Sequence, residues 1–328
     1  MNTRRRIVVA LGAGALAAPL ASFAQRPGKT WRIGVIRPGP DDAVFRENFA
    51  PFVAALREFG FAEGTNLALE YRVRPGTAEE LLALANDLVR AKVDAILAMA
   101  PSGVTAAAKA TTTIPIVAVD LESDPIAQKL AANLARPGGN ITGLFLDFPE
   151  LGGKWIQLLK EAIPKLARAA VLWDPATGPY LIGGAEAAGG SMRVKIFRHE
   201  VRSPAEFERA FQSAEKQKVE AVLALSSPVF ASARKQIAAL ALKHRLPAIM
   251  PIPLFADDGG LMAYGPHLTS MFRQAGGLMA KVLNGARPAD IPIERPTRFE
   301  FAINMKTAKA LGVKIPQSIL VRADRVIE

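Results

Sequence analysis

Four polar side chains follow two short apolar runs of the chain. Ser102 comes soon after Ala95–Met99, and three carboxylates end or follow residues 116–119. These carboxylates belong to Asp120, Glu122 and Asp124. A short apolar run alone does not distinguish a strand from a buried helix, but flanking turn residues favour strands buried in a parallel sheet. Because ligands of open α/β sheets lie outside the carboxyl ends of the strands, we predict a small-molecule site at these two loops.

The loop after the first run has the chemistry to hold an anion. Ser102, between Pro101 and Gly103, is predicted to be the N-cap of a helix that runs through Ala110. The free N–H groups at a helix N-terminus carry partial positive charge and suit a carboxylate. The alternative is that Ser102 only caps its own helix, and the two roles are compatible.

The loop after the second run has the chemistry to hold a cation. Either Glu122 or Asp124 is expected to pair with a ligand ammonium, and Asp120 lies at the end of the same strand. Asp124 stands before Pro125, so the competing interpretation is that it is only the N-cap of a helix from residue 125 to about residue 134. A carboxylate here and a helix N-terminus opposite would bind both ends of a zwitterion.

Other candidate ligand contacts lie at the ends of further predicted strands. Pro38 and Gly39 follow the first strand, where backbone groups would face the ligand. The second half of the chain contributes Trp173, Asp174, Ser226, Ser227, Phe255 and Tyr264. The three aromatic rings would form a stacking wall, although packing in the core is the competing interpretation for each of them.

Alternating strands and helices must position these loops. From residue 31 to residue 144 the apolar patterns alternate in this way, which indicates βαβ units and a parallel sheet. Thr77 followed by Glu80 is a capping box at the start of one helix. Residues 136–140 break the alternation, and a second alternation follows from residue 150 to residue 252. We therefore predict an α/β protein with two Rossmann-like lobes that each contain a parallel sheet.

The end of the chain determines how the lobes are connected. A helix at 267–283 and the strand Phe299–Asn304 remain after both lobes are complete, so the chain is expected to cross between the lobes again. Several strands that cross between the lobes would form a hinge, and this hinge would let the cleft between the lobes close. We predict an N-terminal lobe of residues 30–144 plus 266–292 and a C-terminal lobe of residues 145–265 plus 293–328. The glycine-rich residues 177–191 show no clear pattern.

Residues 1–24 are predicted to be a cleavable signal peptide. Arginines at 4–6 precede small apolar residues at 7–20, and the small residues at 22 and 24 suit a signal peptidase. The segment also resembles a twin-arginine export signal. The alternative is an uncleaved membrane anchor, which the short and glycine-rich apolar core disfavours. Removal of the three arginines lowers the net charge from +11 to +8.

The composition argues against several kinds of site. The chain has no cysteine, which removes disulfides, thiolate catalysis and Cys–metal sites. Its three histidines are scattered without the spacing of metal ligands, and no nucleophile elbow or P-loop is present. Lysines and arginines are spread out without the interleaved aromatic residues of a nucleic-acid groove. We therefore expect no enzyme activity, no metal, no cofactor and no nucleic-acid partner.

Several motifs of the chain resemble those of one protein family. The stretches LARPGGNITG at 134–143 and NMKTAKALG at 304–312 are the most specific. Shorter matches occur at 32–35, 63–67, 114–117, 123–126, 259–265 and 296–300. Together they resemble the ABC-transporter substrate-binding protein family, whose characterised relatives include tryptophan- and tyrosine-binding receptors. The resemblance runs from about residue 32 to the end of the chain.

This resemblance implies a type I periplasmic binding protein, with the ligand in the cleft between two α/β lobes. It also implies delivery of the ligand to an ABC permease in the inner membrane. We expect a periplasmic monomer whose ligand is a small carboxylate or an amino-acid-like molecule, aromatic ones included. The alternative is a sensory protein of the same fold that presents its ligand to a membrane receptor. The chain departs from amino-acid-binding relatives in one loop: they read Gly-Thr-Pro-x-Ala or a close variant, where this chain has Ala100-Pro101-Ser102-Gly103-Val104.

Overall fold

Five parallel strands form the first of two sheets in the computed structural model, which describes residues 28–146 and 150–328. The strands are β1 (Trp31–Arg37), β2 (Leu67–Val73), β3 (Ala95–Met99), β4 (Ile116–Asp120) and β5 (Ile141–Phe145). They lie in the order β2-β1-β3-β4-β5. The helices between them are α1 (Ala43–Glu58), α2 (Ala78–Arg90) and α3 (Ala100–Ala110). This is the parallel βαβ architecture that the sequence predicts.

Seven strands form the second sheet. They are β6 (Arg168–Trp173), β7 (Lys195–Glu200), β8 (Ala221–Ala224), β9 (Ala248–Met250), β10 (Met262–Pro266), β11 (Phe299–Asn304) and β12 (Arg325–Ile327). The order is β12-β11-β10-β9-β8-β6-β7, and only the β10–β11 pair is antiparallel. The remaining helices are α4 (Glu150–Ala162), α5 (Tyr180–Ser191), α6 (Phe207–Lys216), α7 (Pro228–Ser232), α8 (Arg234–Lys243), α9 (Leu254–Asp257), α10 (Leu268–Leu283), α11 (Met305–Leu311) and α12 (Gln317–Leu320). The prediction of two α/β lobes with mostly parallel sheets is confirmed.

Both faces of each sheet are buried, which explains why the strands are apolar without alternation. In β3, for example, Ala95 and Leu97 pack into one core cluster, whereas Ile96 and Ala98 pack into another. The first cluster includes residues of α1 and α10, and the second includes residues of α2 and α3. Two further clusters cover the faces of the second sheet in the same way. No helix among residues 28–146 and 150–328 is long and apolar enough to cross a membrane.

The last third of the chain connects the two sheets. After β10 in the second sheet, α10 packs against α1 beside the first sheet. Glu294 then pairs with Leu144 of β5, and the chain returns to the second sheet as β11. The proposed lobe boundaries stay a prediction, and the predicted signal peptide at 1–24 lies outside the described residues.

Local sequence signals predict some helix starts correctly and others wrongly. The capping box is confirmed, since Thr77 and Glu80 exchange both of their capping hydrogen bonds. The prediction that Ser102 is an N-cap is wrong, because α3 begins at Ala100 and has no side-chain cap. The prediction of a helix from residue 125 to about residue 134 is also wrong. Asp124 accepts from the N–H groups of the next turn, but Lys129 has a φ of +59°, which interrupts any helix there.

The glycine-rich segment folds as a 3₁₀ turn (Pro175–Thr177) followed by α5. Gly152 of α4 allows α4 and α5 to approach closely. A Cβ at Gly152 of α4 would lie 2.5 Å from the backbone nitrogen of Ala185 in α5. The segment therefore forms a helix because of its neighbour, and its own sequence gives little sign of it.

The packing of α4 on α5 leads to a testable prediction. Gly152→Ala should lower the free energy of unfolding by about 1–3 kcal/mol, because its methyl group would overlap the backbone of α5. Gly183→Ala in α5 is the matched control, since no atom lies within 4 Å of the added Cβ. The control should raise the free energy of unfolding by up to about 1 kcal/mol through helix propensity. Urea unfolding of both variants measures the difference, and equal effects would contradict the proposed overlap.

Candidate functional site

A pocket of about 160 Å³ lies between the two sheets, at the carboxyl ends of their strands. Its walls are mostly apolar and include Phe45, Met99, Ile252, Leu254, Met271 and Phe272. Arg37, Glu122, Ser226 and Ser227 supply polar groups. The pocket has room for roughly ten water-sized groups. A few charged and polar groups among mostly apolar walls suit a small amphipathic molecule.

Arg37 is the last residue of β1 and carries the main positive charge of this pocket. Its guanidinium Nη1 donates to the carbonyl oxygen of Pro40 at 3.1 Å, and the guanidinium carbon Cζ lies 4.9 Å from the ring centre of Phe45. Burial lowers the pKa of Arg37, while Asp42, Asp41 and Glu122 act in the opposite direction. Within residues 28–146 and 150–328, no carboxylate oxygen lies within 4.0 Å of this guanidinium. A largely buried guanidinium without an ion pair is a suitable partner for a ligand carboxylate.

Gly39 gives Arg37 the space it occupies. Gly39 has a φ of +134°, and a Cβ at this position would lie 2.7 Å from Nη1 of Arg37. Sequence reasoning selected Pro38 and Gly39 for backbone contacts but did not select the arginine beside them. An arginine at the ligand end of the apolar strand WRIGVIR was the signal that could have found it.

Glu122 connects the loop after β4 to the loop after β8. The hydroxyl of Ser226 donates to Oε1 of Glu122 at 2.5 Å, and the N–H of Leu121 donates to Oε2 at 3.2 Å. Burial, then the nearby charge of Asp120, raises the pKa of Glu122 to about 8. The neutral acid is therefore the main form of Glu122 at pH 7. Of the predicted site residues, Glu122, Ser226 and Ser227 line the pocket.

Asp120 organises the loop that carries Glu122. Its carboxylate accepts hydrogen bonds from the N–H groups of Glu122 and Ser123 and from the hydroxyl of Ser123. Burial raises the pKa of Asp120, while these three donors act in the opposite direction. The carboxylate of Glu122 accepts fewer hydrogen bonds than that of Asp120, so its ionised form is less stabilised. When this pair of carboxyl groups holds one proton, we therefore assign the proton to Glu122.

Asp174 positions Ser227 on the other side of the pocket. The hydroxyl of Ser227 donates to Oδ2 of Asp174 at 2.6 Å, and the N–H of Ala176 donates to Oδ1 at 3.0 Å. Ser227 is also the N-cap of α7 and accepts from the N–H of Val229. Both predicted residues are buried, but only the serine lines the pocket.

The loop after β3 reaches the pocket through Ala100. Pro101 and Ser102 line a separate depression of about 450 Å³, together with residues 175–178 of the second lobe. Gly103 packs against the backbone at the end of β1, where its Cβ would lie 3.4 Å from the carbonyl oxygen of Ile36 and 3.5 Å from Pro38. Asp124 supports its own turn and does not line the pocket, which favours the local interpretation of its role.

The three aromatic residues selected from the second lobe do not line the pocket. Phe255 is fully buried in the core, and the indole N–H of Trp173 donates to the carbonyl oxygen of Gly178 at 2.8 Å. Tyr264 stacks on Phe299 with ring centres 5.6 Å apart. These positions favour the core interpretation. The rings that do line the pocket are Phe45 and Phe272, and both lie on helices whose buried faces the sequence does not assign to a ligand.

Ala100 has a backbone conformation that glycine adopts more readily. Its φ is +60°, in the left-handed region. We therefore expect Ala100→Gly to raise the free energy of unfolding by up to about 1 kcal/mol. Ala108→Gly, in the regular part of α3, should lower it by about 1 kcal/mol. Chemical denaturation measures the free energy of unfolding of the two variants, which should change in opposite directions. A loss of stability in both variants would contradict the strain at Ala100.

The described residues contain no group of three His, Asp or Glu side chains arranged to hold a metal ion. The chemistry that the pocket offers is the binding of charged and apolar groups. Arg37 suits an anion, the acid Glu122 accepts or donates a hydrogen bond, and the walls around them are mostly apolar.

The sequence profile of the family described as ABC transporter substrate binding protein matches residues 33–327. A tyrosine-binding protein of Clostridioides difficile is 23% identical over 265 residues, which cover 80% of this chain and 76% of that protein. The crystal structure of an ABC domain in complex with L-Trp, from Streptococcus pneumonia, has a TM-score of 0.82 at 22% identity and covers 91% of this chain and 100% of that chain. A leucine-binding protein from Thermotoga maritima has a TM-score of 0.58 at 16% identity and covers 78% and 83% of the two chains.

The profile match spans nearly all of the residues that form the two lobes. The fold is that of a type I periplasmic binding protein, as the structural similarities indicate. The chain therefore belongs to the family of ABC transporter substrate-binding proteins.

Proposed function

We propose that this protein binds an amino acid with a large apolar or aromatic side chain and passes it to the permease of an ABC importer. The observation that carries the proposal is the largely buried guanidinium of Arg37, which has no carboxylate within 4.0 Å among the described residues. A ligand carboxylate would match this charge, so the free energy of burying Arg37 is recovered when the ligand binds.

The other parts of the pocket suit the rest of such a ligand. Arg37 and Glu122 both line the pocket and interact electrostatically, so we assign the ligand carboxylate to Arg37 and the ligand ammonium to Glu122. Phe45, Met271 and Phe272 line the walls beyond them. Aromatic and sulfur-containing side chains favour contact with an aromatic ring. The tryptophan and tyrosine in the descriptions of two relatives are consistent with this choice.

The proposal includes binding without catalysis, in the periplasm, by a monomer whose lobes close over the ligand. Loops of both sheets line the pocket, and the Glu122–Ser226 hydrogen bond joins them. Affinity should therefore depend on residues of both lobes. The permease would then recognise the closed form of the protein.

A ligand panel measured by thermal shift and titration calorimetry tests the proposal. L-Tryptophan, L-tyrosine and L-phenylalanine should stabilise the mature chain, by about 2.7 kcal/mol at a ligand concentration 100 times Kd. Tryptamine, which lacks the carboxylate, should not bind because Arg37 would repel its ammonium. D-Glucose is the neutral control. Stabilisation by sugars alone, or equal binding of tryptamine and tryptophan, would contradict the proposal.

A further inference from the structure

Glu122 is a carboxyl group inside the pocket with no cationic partner of its own. Within the described ranges, no lysine, arginine or histidine nitrogen lies within 4.0 Å of its oxygens. Its hydrogen-bond donors are the hydroxyl of Ser226 and the N–H of Leu121. The carboxyl therefore faces the ligand space with one neutral donor from each lobe.

The charged groups around Glu122 come from several elements. Asp120 at the end of β4 and Asp174 after β6 both disfavour its ionised form, whereas Arg37 at the end of β1 favours it. Two other charged groups line the same pocket. Arg234 is paired with Asp258 at 2.5 Å, and Asp42 accepts the N–H of Phe45 as the N-cap of α1. Without ligand, the balance of these groups and of burial holds a proton on Glu122.

We infer that Glu122 gives up this proton when an amino acid binds and keeps it when an amine-free carboxylic acid binds, so that pH sets which class of ligand the site prefers. The inference rests on the proposed function, because it assumes that Arg37 takes the carboxylate of either ligand. It follows from the charge balance of a closed pocket, in which an unpaired charge is costly.

The two binding reactions differ by one proton. With an amino acid, the acid Glu122–COOH and the ligand's ammonium become a carboxylate–ammonium pair, and H⁺ passes to water and then to the buffer. With an amine-free acid, the ligand carboxylate pairs with Arg37 and Glu122 stays a neutral acid bonded to Ser226. In both complexes the added charges are matched, so both ligands bind, but with opposite dependence on pH.

Linkage gives the direction and size of that dependence. Amino-acid affinity should rise with pH until Glu122 ionises in the free protein, and then level off. The affinity of an amine-free acid should be constant at low pH and fall once Glu122 ionises in the free protein. The ratio of the two affinities should therefore rise about tenfold per pH unit.

L-Tryptophan and indole-3-propionate, which differ only in the amine, are the matched probes. Calorimetry at about pH 6, 7 and 8 should show a roughly hundredfold rise in the affinity ratio. In two buffers of different ionisation enthalpy at pH 7, tryptophan should release close to one proton and indole-3-propionate none. The same pH dependence for both ligands would overturn the inference while leaving the proposed function intact. Failure of both ligands to bind at every pH would overturn the proposed function together with the inference.

Two variants test whether Glu122 is the residue that releases the proton. Glu122→Gln should abolish proton release on tryptophan binding and flatten the pH dependence of the affinity ratio. Ser226→Ala keeps the acid but removes a donor that favours its ionised form. Its tryptophan affinity should therefore level off at a higher pH than that of the wild type. Proton release that persists in Glu122→Gln, or a plateau that does not move in Ser226→Ala, would contradict the assignment to Glu122.

Discussion

Arg37→Met is expected to weaken the binding of L-tryptophan by between about 30-fold and several thousand-fold. Loss of one partner of a buried, hydrogen-bonded charge pair costs about 2–5 kcal/mol, which corresponds to this range. Methionine keeps an apolar stem against Phe45 but leaves the ligand carboxylate without its counter-charge. The free energy of unfolding without ligand should not fall, because burial of this guanidinium is not offset by an ion pair among the described residues. Calorimetric titration and urea unfolding measure the two quantities.

The matched control for this prediction is Arg46→Met on α1. Arg46 pairs with Asp41 at 2.5 Å and lies 3.7 Å from the ring centre of Tyr71, outside the pocket. Its loss should change tryptophan affinity by less than about twofold, since exposed pairs contribute little. If Arg37→Met bound tryptophan as tightly as the wild type, or lost stability without losing affinity, Arg37 would be a structural residue and the proposed function would lose its main support.

The fold could be predicted from the sequence because its strands are buried on both faces. Runs such as Ala95–Met99 are apolar throughout, and the chain alternates them with amphipathic helices. The capping box at Thr77 is local and needs no tertiary contact. The errors have non-local causes or depend on a single backbone angle. Lys129 interrupts the predicted helix at 125–134, and the glycine-rich α5 forms where it packs closely against Gly152.

The position of the candidate site followed from topology, but its side chains did not. Strand ends locate a cleft, and Glu122, Ser226 and Ser227 do line it. Glu122 and Asp124 are two residues apart in one loop, and the sequence offers no means to decide which side chain turns inward. Arg37 was missed because an arginine at the end of a strand is usually solvated. Its burial depends on Phe45 and Gly39, which only the folded chain brings together.

The stability of the ligand-free protein is expected to fall as the pH rises from about 6 to 8, and Glu122 is the cause. The pKa of Glu122 is about 8 in the folded protein, whereas the ordinary value, which applies to the unfolded chain, is 4.5. Below pH 4.5 Glu122 is protonated in both the folded and the unfolded chain. The stability that comes from the tighter binding of this proton by the folded chain is then fully present. Between the two values only the folded state holds it, and each pH unit costs up to about 1.4 kcal/mol. Above a pH of about 8 the contribution is lost.

Glu122→Gln isolates this effect because the amide cannot ionise. The free energy of unfolding of the wild type, minus that of Glu122→Gln, should fall by about 1–3 kcal/mol from pH 6 to pH 8. Glu79→Gln, at an exposed position in the first turn of α2, should leave the wild-type pH dependence unchanged in this range. Parallel curves for the wild type and Glu122→Gln would contradict the prediction.

A saturating amino acid should then remove most of this pH dependence, because Glu122 has already lost its proton in the complex. The tryptophan-bound wild type and the tryptophan-bound Glu122→Gln variant should therefore have similar slopes of stability against pH between about pH 6 and pH 8. With indole-3-propionate the slope of the wild type should persist, since that ligand brings no ammonium to Glu122. The difference between the two ligands follows from one carboxyl group that is buried between the lobes and bonded to Ser226.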